Sequence, residues 1–303
     1  MIIGSRGSKL ALAQTNWVKE RILGRFPDAG VDVKVIRVSA DTDAEGSIRA
    51  GTARGVFVRE IDEALLAGAI DLAVHSCKDV PSRVPEGLEI RIIPEREDAR
   101  DALVTSGRGG TLEGLRPGGL VGTGSVRRQA QVLRLRPDLR VAEIRGNVDT
   151  RLRKLDEGDY DAIVLACAGL RRLGLAGRIG SIFSLDQMLP APGQGALAIA
   201  TRSGDQRALE MLAALHDPAS GQAVAAERAV LRRLGGGCNS PIAVHAALAD
   251  GIVRIEGLVS SPDGKRAVRD AVARPAEEAE EAGVALAETL LARGGSEILA
   301  ALR

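Results

Sequence analysis

Short apolar runs that break off abruptly into polar residues, each set against a stretch of helical periodicity, constrain this chain more than any other feature. Leu72-Ala73-Val74 stops at His75-Ser76-Cys77-Lys78-Asp79, and the chain opens the same way, with Ile2-Ile3 running into Gly4-Ser5-Arg6. A helix follows, with Leu10, Ala11, Trp17, Val18, Ile22 and Phe26 at helical spacing, and then Val31, Val33 and Val35 alternate as a strand should. Val58, Ile61 and Leu65 share one face of a second helix. Strand and helix alternating in this way predict βαβ units on a parallel sheet. The pattern restarts after Arg100, with strands near Leu120 to Val121, Val141 to Ile144 and Ile163 to Leu165 separated by Arg-rich helices, so a second α/β unit is expected.

Pro94, the charged EREDARD stretch and a Gly-rich loop mark a passage between the two units. A second passage is punctuated by Pro190, Pro192, Gly193 and Gly195, after which Leu197 to Ala200 reads as a strand returning to the first unit. From Ser220 a helix carrying Val224, Leu231 and Leu234 runs to the triple glycine Gly235 to Gly237, a strong stop. Beyond it β-rich runs at Ile242 to Ala247, Ile252 to Val259 and Ala267 to Ala273 are joined by Asp250-Gly251 and Pro262-Asp263-Gly264, turn sequences of antiparallel hairpins. A long helix is expected from Pro275. The fold class is therefore α/β, two doubly wound domains plus a smaller α+β C-terminal domain. Residues 1–95 with 196–216 form the first, 100–190 the second and 218–303 the third.

A chain of 303 residues has enough apolar content to bury several cores. Its 41 basic residues balance 40 acidic ones to a net charge of +1, so no overall field favours nucleic acid or an anionic membrane, and any anion site must be a local cluster. Arg6 and Lys9 fall where a signal peptide needs its apolar run, and no apolar segment is long enough to span a bilayer, so a cytoplasmic protein is expected. Cys77, Cys167 and Cys238 are odd in number and widely spaced, which argues for reduced thiols; with His75, His216 and His245 equally scattered, no metal-ligand spacing exists.

In an open α/β sheet, ligands bind beyond the carboxyl ends of the strands, and those positions are unusually polar here. Gly122-Thr123-Gly124-Ser125 leads to Arg127-Arg128, and Arg145-Gly146-Asn147 leads to Arg151. Arginines, hydroxyls and helix N-termini gathered at one edge make a site for carboxylates or phosphates, although any one of these arginines taken alone is more often a solvated surface residue. Asp79 at the same edge is equally a catalytic carboxylate, a helix cap or the ion-pair partner of Lys78. Cys238, in GGGCNSP, rivals Cys77 as a nucleophile, and a buried structural cysteine is the commoner fate of either.

An ordered series of segments closely resembles the hydroxymethylbilane synthase (porphobilinogen deaminase) family over essentially the whole chain. These are SRGSKLALAQ, GVFVREIDEALL, DLAVHSCKDVPS, EREDARDALV, VGTGSVRRQ, EIRGNVDTRLRKLDEGDYDAIVLACAGLRRLGL, LPAPGQGALAI and AAERAVLRRLGGGCNSPI. The resemblance implies two domains like type II periplasmic binding proteins with a third α+β domain, and a monomer acting on the small molecule porphobilinogen. It implies that Cys238 carries a dipyrromethane cofactor through a thioether and that Asp79 is the catalytic acid. Arg6, Arg127, Arg128, Arg145, Arg151 and Arg172 resemble the arginines that hold acetate and propionate carboxylates. Ser76, Lys78, Thr123, Ser125, Gly146 and Gln14 resemble further contacts to cofactor or substrate. Cys77 stands where many relatives carry methionine or leucine. The stretch VSADTDAEGSIRAGTARG lacks the usual threonine-x-glycine-aspartate signal and has Arg54 where lysine is frequent, so Asp41 and Asp43 receive no role and a mobile loop over the cleft is expected.

Two other classes compete with this reading. An anion-binding or sensor module on the same scaffold would use the arginines for a small dicarboxylate and leave Cys238 inert. An enzyme using Lys78 as a Schiff-base amine needs a desolvated lysine, whereas the adjacent Asp79 favours the charged form.

Overall fold

Alternate residues along the central strands face opposite helices, and this places each five-stranded sheet between two apolar layers. The computed structural model describes residues 1–38, 58–107, 109–236 and 240–302. The chain divides into two units, one of Met1–Glu97 with Ala196–Gly221, the other of Asp98–Gly195 with Gln222–Arg303.

In the first unit β1 (Ile2–Ser5), α1 (Lys9–Arg25), β2 (Asp32–Val35), α2 (Arg59–Leu66), β3 (Leu72–Ser76) and β4 (Leu88–Ile92) are joined by β10 (Leu197–Arg202) and α6 (Gln206–Leu212). The sheet order is β2-β1-β3-β10-β4. Leu72, Val74, Leu197 and Ile199 pack on one face with Val18 and Ile22 of α1 and Leu212 of α6. Ala73 and Ala200, one residue out of phase, pack on the other with Ile61 and Leu65 of α2. That is the period of two expected of a strand covered on both sides. The expected parallel sheet is corrected to a mixed one. β1 runs parallel to β2 and β3, but β10 lies antiparallel between β3 and β4, because the chain re-enters the sheet from the opposite end.

The second unit repeats the plan. β5 (Asp101–Thr105), β6 (Leu120–Gly122), α3 (Val126–Leu135), β7 (Arg140–Ala142), α4 (Val148–Asp156), β8 (Ala162–Ala166), α5 (Cys167–Arg172) and β9 (Ser181–Ile182) build a sheet of order β7-β6-β8-β5-β9. Here β5 is the antiparallel strand. Ile163 and Leu165 face Leu152 and Leu155 of α4, while Ala162 and Val164 face Val132 of α3 and Met188. The strand expected over Val141 to Ile144 ends at Ala142, and Ile144 is instead a buried anchor of the loop that follows.

Helix α7 (Pro218–Leu234) opens on proline with Asp217 accepting the Ser220 N–H, a first-turn arrangement that suits both residues. It closes at Gly235, whose φ of 68° only glycine adopts readily. Next come β11 (Ile242–Ala249), β12 (Ile252–Ser260) and β13 (Ala267–Pro275), an antiparallel sheet whose first turn is Asp250-Gly251 with φ of 52° and 71°. The helix expected from Pro275 starts at Ala279, as α8 (Ala279–Leu290). Pro275 instead ends β13, paired with Ile252 on the edge strand, where a missing N–H is tolerated. One face of this sheet, through Ile255 and Val259, packs on Ala226 and Val230 of α7 and on Leu286 and Leu290 of α8. Among the described residues no helix is long and apolar enough to cross a membrane.

Helices α7 and α8 approach so closely at Gly283 that a Cβ there would lie 2.2 Å from the Ala226 carbonyl oxygen. On an open helix Gly→Ala gains up to about 1 kcal/mol. Here the methyl has no room, and Gly283→Ala is expected to cost roughly 2–3 kcal/mol. The urea midpoint checks this, and an unchanged or raised midpoint would show that the helices can part freely.

Candidate functional site

At the carboxyl end of β3 in the first unit, Ser76 is followed by a single 3-10 turn, Cys77–Asp79. The Cys77 N–H donates to the Ala196 carbonyl and the Val80 N–H to the Cys77 carbonyl, so the turn is held at both ends. Lys78 and Asp79 are half-buried in it. No helix begins after Asp79 before β4, so Asp79 caps none. Gln14, buried on α1, exchanges two hydrogen bonds with the Ser76 hydroxyl at 2.9 and 3.2 Å. Beside it Thr15 donates to Ser5, and Ser5 to the carbonyl of the half-buried Arg6. The structure therefore gathers Arg6, Gln14, Ser76, Lys78 and Asp79 at one sheet edge.

Beneath that edge His75 is buried, its Nε2 without a hydrogen-bond partner and 4.0 Å from Asp62 of α2. Burial, helped by the positive charge of Arg6, lowers the His75 imidazole to about 4. Burial also raises the Asp62 carboxyl to about 6.

In the second unit the ends of β6 and β7 carry the corresponding edge. Thr123 is buried and accepts the Ser125 N–H, and Ser125 is the N-cap residue of α3. Arg145 is exposed and paired with Glu143 at 2.8 Å. Arg151 donates from Nε to the carbonyl of Gly146, which has φ of 105°. A Cβ at Gly146 would lie 2.7 Å from Thr150. Arg172, on α5, donates to the Gly195 carbonyl at 2.7 Å.

Arg127 and Arg128 do not face solvent with the others: their guanidiniums are taken up largely by core groups. Both are buried, and both converge on Asp101, which is 0% exposed. Arg127 Nη1 and Arg128 Nη2 each reach it at 2.7 Å, and Gln194 Nε2 adds a third donor at 2.9 Å. Arg127 Nη1 also donates to the Leu189 carbonyl and Arg128 Nη1 to the Val164 carbonyl, while Arg127 Nε is buried without a partner. Burial alone would push the Asp101 carboxyl up. The Arg127 and Arg128 guanidiniums and the hydrogen bonds from Arg127 and Gln194 outweigh it and hold Asp101 well below the usual carboxylate range. Arg127 and Arg128 occupy the first turn of α3, from which they reach Asp101 of β5 and Val164 of β8.

Sequence reasoning missed Asp101, Gln131, Gln194 and Glu227. Asp101 is the last residue of a stretch that reads as a charged linker; the signal that could have found it is the apolar Ala102-Leu103-Val104 directly behind it. Cys77 and Cys167 are buried thiols, and burial followed by the nearby carboxylates pushes Cys167 up to about 12. Cys238, the expected attachment point, and the 39–55 loop with Asp41, Asp43 and Arg54 lie outside the described residues. Among the described residues no cluster could hold a metal ion.

An α/β sheet edge bearing arginines and hydroxyls has the chemistry to hold carboxylates, and the first unit presents a carboxylate of its own at the end of a strand. Comparison with known proteins makes the class specific. The family model described as "Porphobilinogen deaminase, dipyromethane cofactor binding domain" matches residues 1–210, and "Porphobilinogen deaminase, C-terminal domain" matches residues 222–292. A porphobilinogen deaminase from Syntrophotalea carbinolica is 50% identical over 99% of this chain and 95% of its own length. One from Thermus thermophilus is 48% identical over 100% and 99%. The chain belongs to the porphobilinogen deaminase family. Among solved structures, the periplasmic aliphatic sulphonate binding protein SsuA from Escherichia coli covers 77% of this chain and 69% of its own at 14% identity and a TM-score of 0.41, too distant to bear on function.

Removing the charge of Asp101 would leave Arg127 and Arg128 buried with no counter-ion. Asp101→Asn is therefore expected to cost about 3–5 kcal/mol, read as a fall in the denaturation midpoint. A loss below about 1 kcal/mol, the range of exposed pairs, would show that the pair is solvated after all.

His75 and Asp62 oppose one another in their pH dependence. Between about pH 4 and 6 the folded chain keeps a proton on Asp62 that the unfolded chain has released, so this contribution to stability falls as pH rises. Between about 4 and 6.5 the unfolded chain has protonated His75 and the folded chain has not, so that contribution rises with pH. Asp62→Asn removes only the falling half. Its urea midpoint should climb more steeply from pH 4.5 to 6 than that of the parent chain, and parallel curves would refute the assignment.

Proposed function

We propose that this chain is a hydroxymethylbilane synthase, a transferase that joins four porphobilinogens, with loss of ammonia, into a linear tetrapyrrole on a dipyrromethane primer. The observation that carries the reading is the Ser76–Asp79 turn at the carboxyl end of β3, in a chain that matches this family along its whole length. Porphobilinogen brings two carboxylates per ring, and a protein of net charge +1 can accept a growing chain of them only by concentrating its arginines. Arg127, Arg128, Arg145 and Gly146, with Thr123 and with Ser125 at the start of α3, are the groups proposed to hold the primer, together with Ser76 and Lys78 beside Asp79. Arg6, Gln14, Arg145, Arg151 and Arg172 are proposed for substrate. The buried, unpartnered Nε of Arg127 and the tight glycine at 146 fit a cradle for an acidic ligand. When bound, the primer supplies a fixed pyrrole α-carbon to which the next ring adds.

In each condensation the aminomethyl C–N bond breaks with the nitrogen protonated, so ammonia departs and positive charge develops on the pyrrole nitrogen. A carboxylate held by a rigid turn stabilises that charge without having to reorganise, and it can carry the proton released when the α-hydrogen is lost. This is the role given to Asp79. The primer is assigned to Cys238 through a thioether. Cys77 and Cys167 are buried, which supports that choice. One attachment that persists through turnover needs no histidine to activate the thiol. The reading includes three domains, residues 1–95 with 196–216, 100–190 and 218–303, supported by the three separate sheets. It includes a cytoplasmic monomer with no nucleic-acid partner.

Asp79→Asn keeps the shape of the side chain and removes its charge. Porphobilinogen consumption at saturation is expected to fall on the order of 100-fold or more, with circular dichroism unchanged and the primer mass still present on Cys238. Asp79→Glu should keep some activity. A folded, primer-bearing Asp79→Asn chain with near-normal turnover would remove the catalytic role. An unmodified chain that binds dicarboxylates reversibly would favour a sensor instead.

A further inference from the structure

Among the described residues Glu227, in the middle of α7, is a carboxylate at 0% exposure, as Asp101 is. Nothing in the chemistry above uses it. Its Oε2 accepts the Gly193 N–H at 2.6 Å, and its Oε1 accepts the Ala246 N–H at 2.7 Å. These two N–H groups come from different places. Gly193, with φ of 74°, belongs to the 189–194 segment, and Ala246 lies on β11.

Helix α7 ends at Leu234 and β11 begins at Ile242, so Glu227 joins the element entering the 235–241 segment to the element leaving it. Both are fastened at the same point to 189–194. The segment is fixed in turn. Leu189 exchanges N–H and carbonyl bonds with Gln131 and accepts from Arg127, both on α3, and the Pro190 carbonyl accepts the Val244 N–H of β11. One carboxylate thus ties the stem of the cysteine-bearing segment to the helix whose first turn carries Ser125 and Arg127. An ionised carboxylate suits the position because each oxygen receives an N–H; an amide would turn one of its two ends into a donor facing a donor.

We infer that Glu227 is a positioning residue for primer attachment, through its hold on the helix that enters and the strand that leaves the 235–241 segment, both fastened to 189–194. This rests on the proposed function, since it presumes a primer on Cys238.

The test is the rate at which unmodified full-length chains gain the primer mass on incubation with porphobilinogen, followed by intact-mass spectrometry. Three variants are compared with the parent: Glu227→Gln, Glu227→Asp and Leu286→Ala. The last cuts a cavity in the same C-terminal core without touching the carboxylate. At equal thermal stability, Glu227→Gln is expected to load about tenfold or more slowly than Leu286→Ala, as the loss of a charge-assisted hydrogen bond would give. Glu227→Asp, which keeps the charge, should fall between them, and it replaces Glu227→Gln in the comparison if that variant does not fold. Loading at the parental rate, or slowed no more than in Leu286→Ala, would make Glu227 a core residue only and overturn the inference. A parent chain that never gains the mass would overturn the functional reading itself, and this inference with it.

Discussion

Two guanidiniums and one carboxylate buried together are the constraint around which the second unit is organised. Asp101 could not be buried alone, since an isolated charge in such a place would neutralise or drag the strand outward. Arg127, Arg128 and Gln194 keep it ionised, and the surplus positive charge is spread over the carbonyls of Leu189 and Val164. Replacing such a group by apolar residues of the same volume would often raise stability, so its value is more readily understood as register than as strength. Asp101 begins β5, Arg127 and Arg128 begin α3, and Gln194 also donates to Ala99, so three separate stretches of chain can close on one another in only one alignment. The start of α3, where Thr123 and Ser125 sit, is positioned by a network that lies behind it.

What was legible in the sequence follows from the same physics. Hydrophobic periodicity reports which faces are apolar, so strands such as Leu72–Ser76 and helices such as Lys9–Arg25 stood out, as did hairpins closed by Asp250-Gly251 and Pro262-Asp263-Gly264. Strand direction leaves no trace in periodicity, and neither β5 nor β10 could be recognised as antiparallel from its residues. Strand β9 has only two residues and is too short to show a period, whereas β4 does alternate apolar and charged residues over Leu88–Ile92 and was passed over. Pro275 misled because proline at a first helical turn and proline at the end of an edge strand look alike in a sequence.

The site divided in the same way. The turn that ends β3 was legible because polar residues directly after an apolar strand have few structural reasons to be there. Buried polar groups were not: Asp101 and Glu227 carry their charge into the core, and a local reading assigns any charged residue in EREDARD or AAERAVLRR to solvent. Only the partners, which lie about 26 to 93 residues away for Asp101 and 19 and 34 for Glu227, reveal the difference.

The arginines fall into two kinds by what would have to be given up to bind a ligand. Arg127 and Arg128 are held by a buried counter-ion and by carbonyls, so their guanidiniums stay in place whatever binds beside them. Arg145 pairs with Glu143 in the open, where water screens the attraction and an exchange of one carboxylate for another costs little. Arg151 and Arg172 donate to the backbone carbonyls of Gly146 and Gly195. A ligand that grows by two carboxylates at each step needs arginines of the exchangeable kind at its surface. It also needs the fixed kind behind them, so that the surface does not rearrange when their partners change.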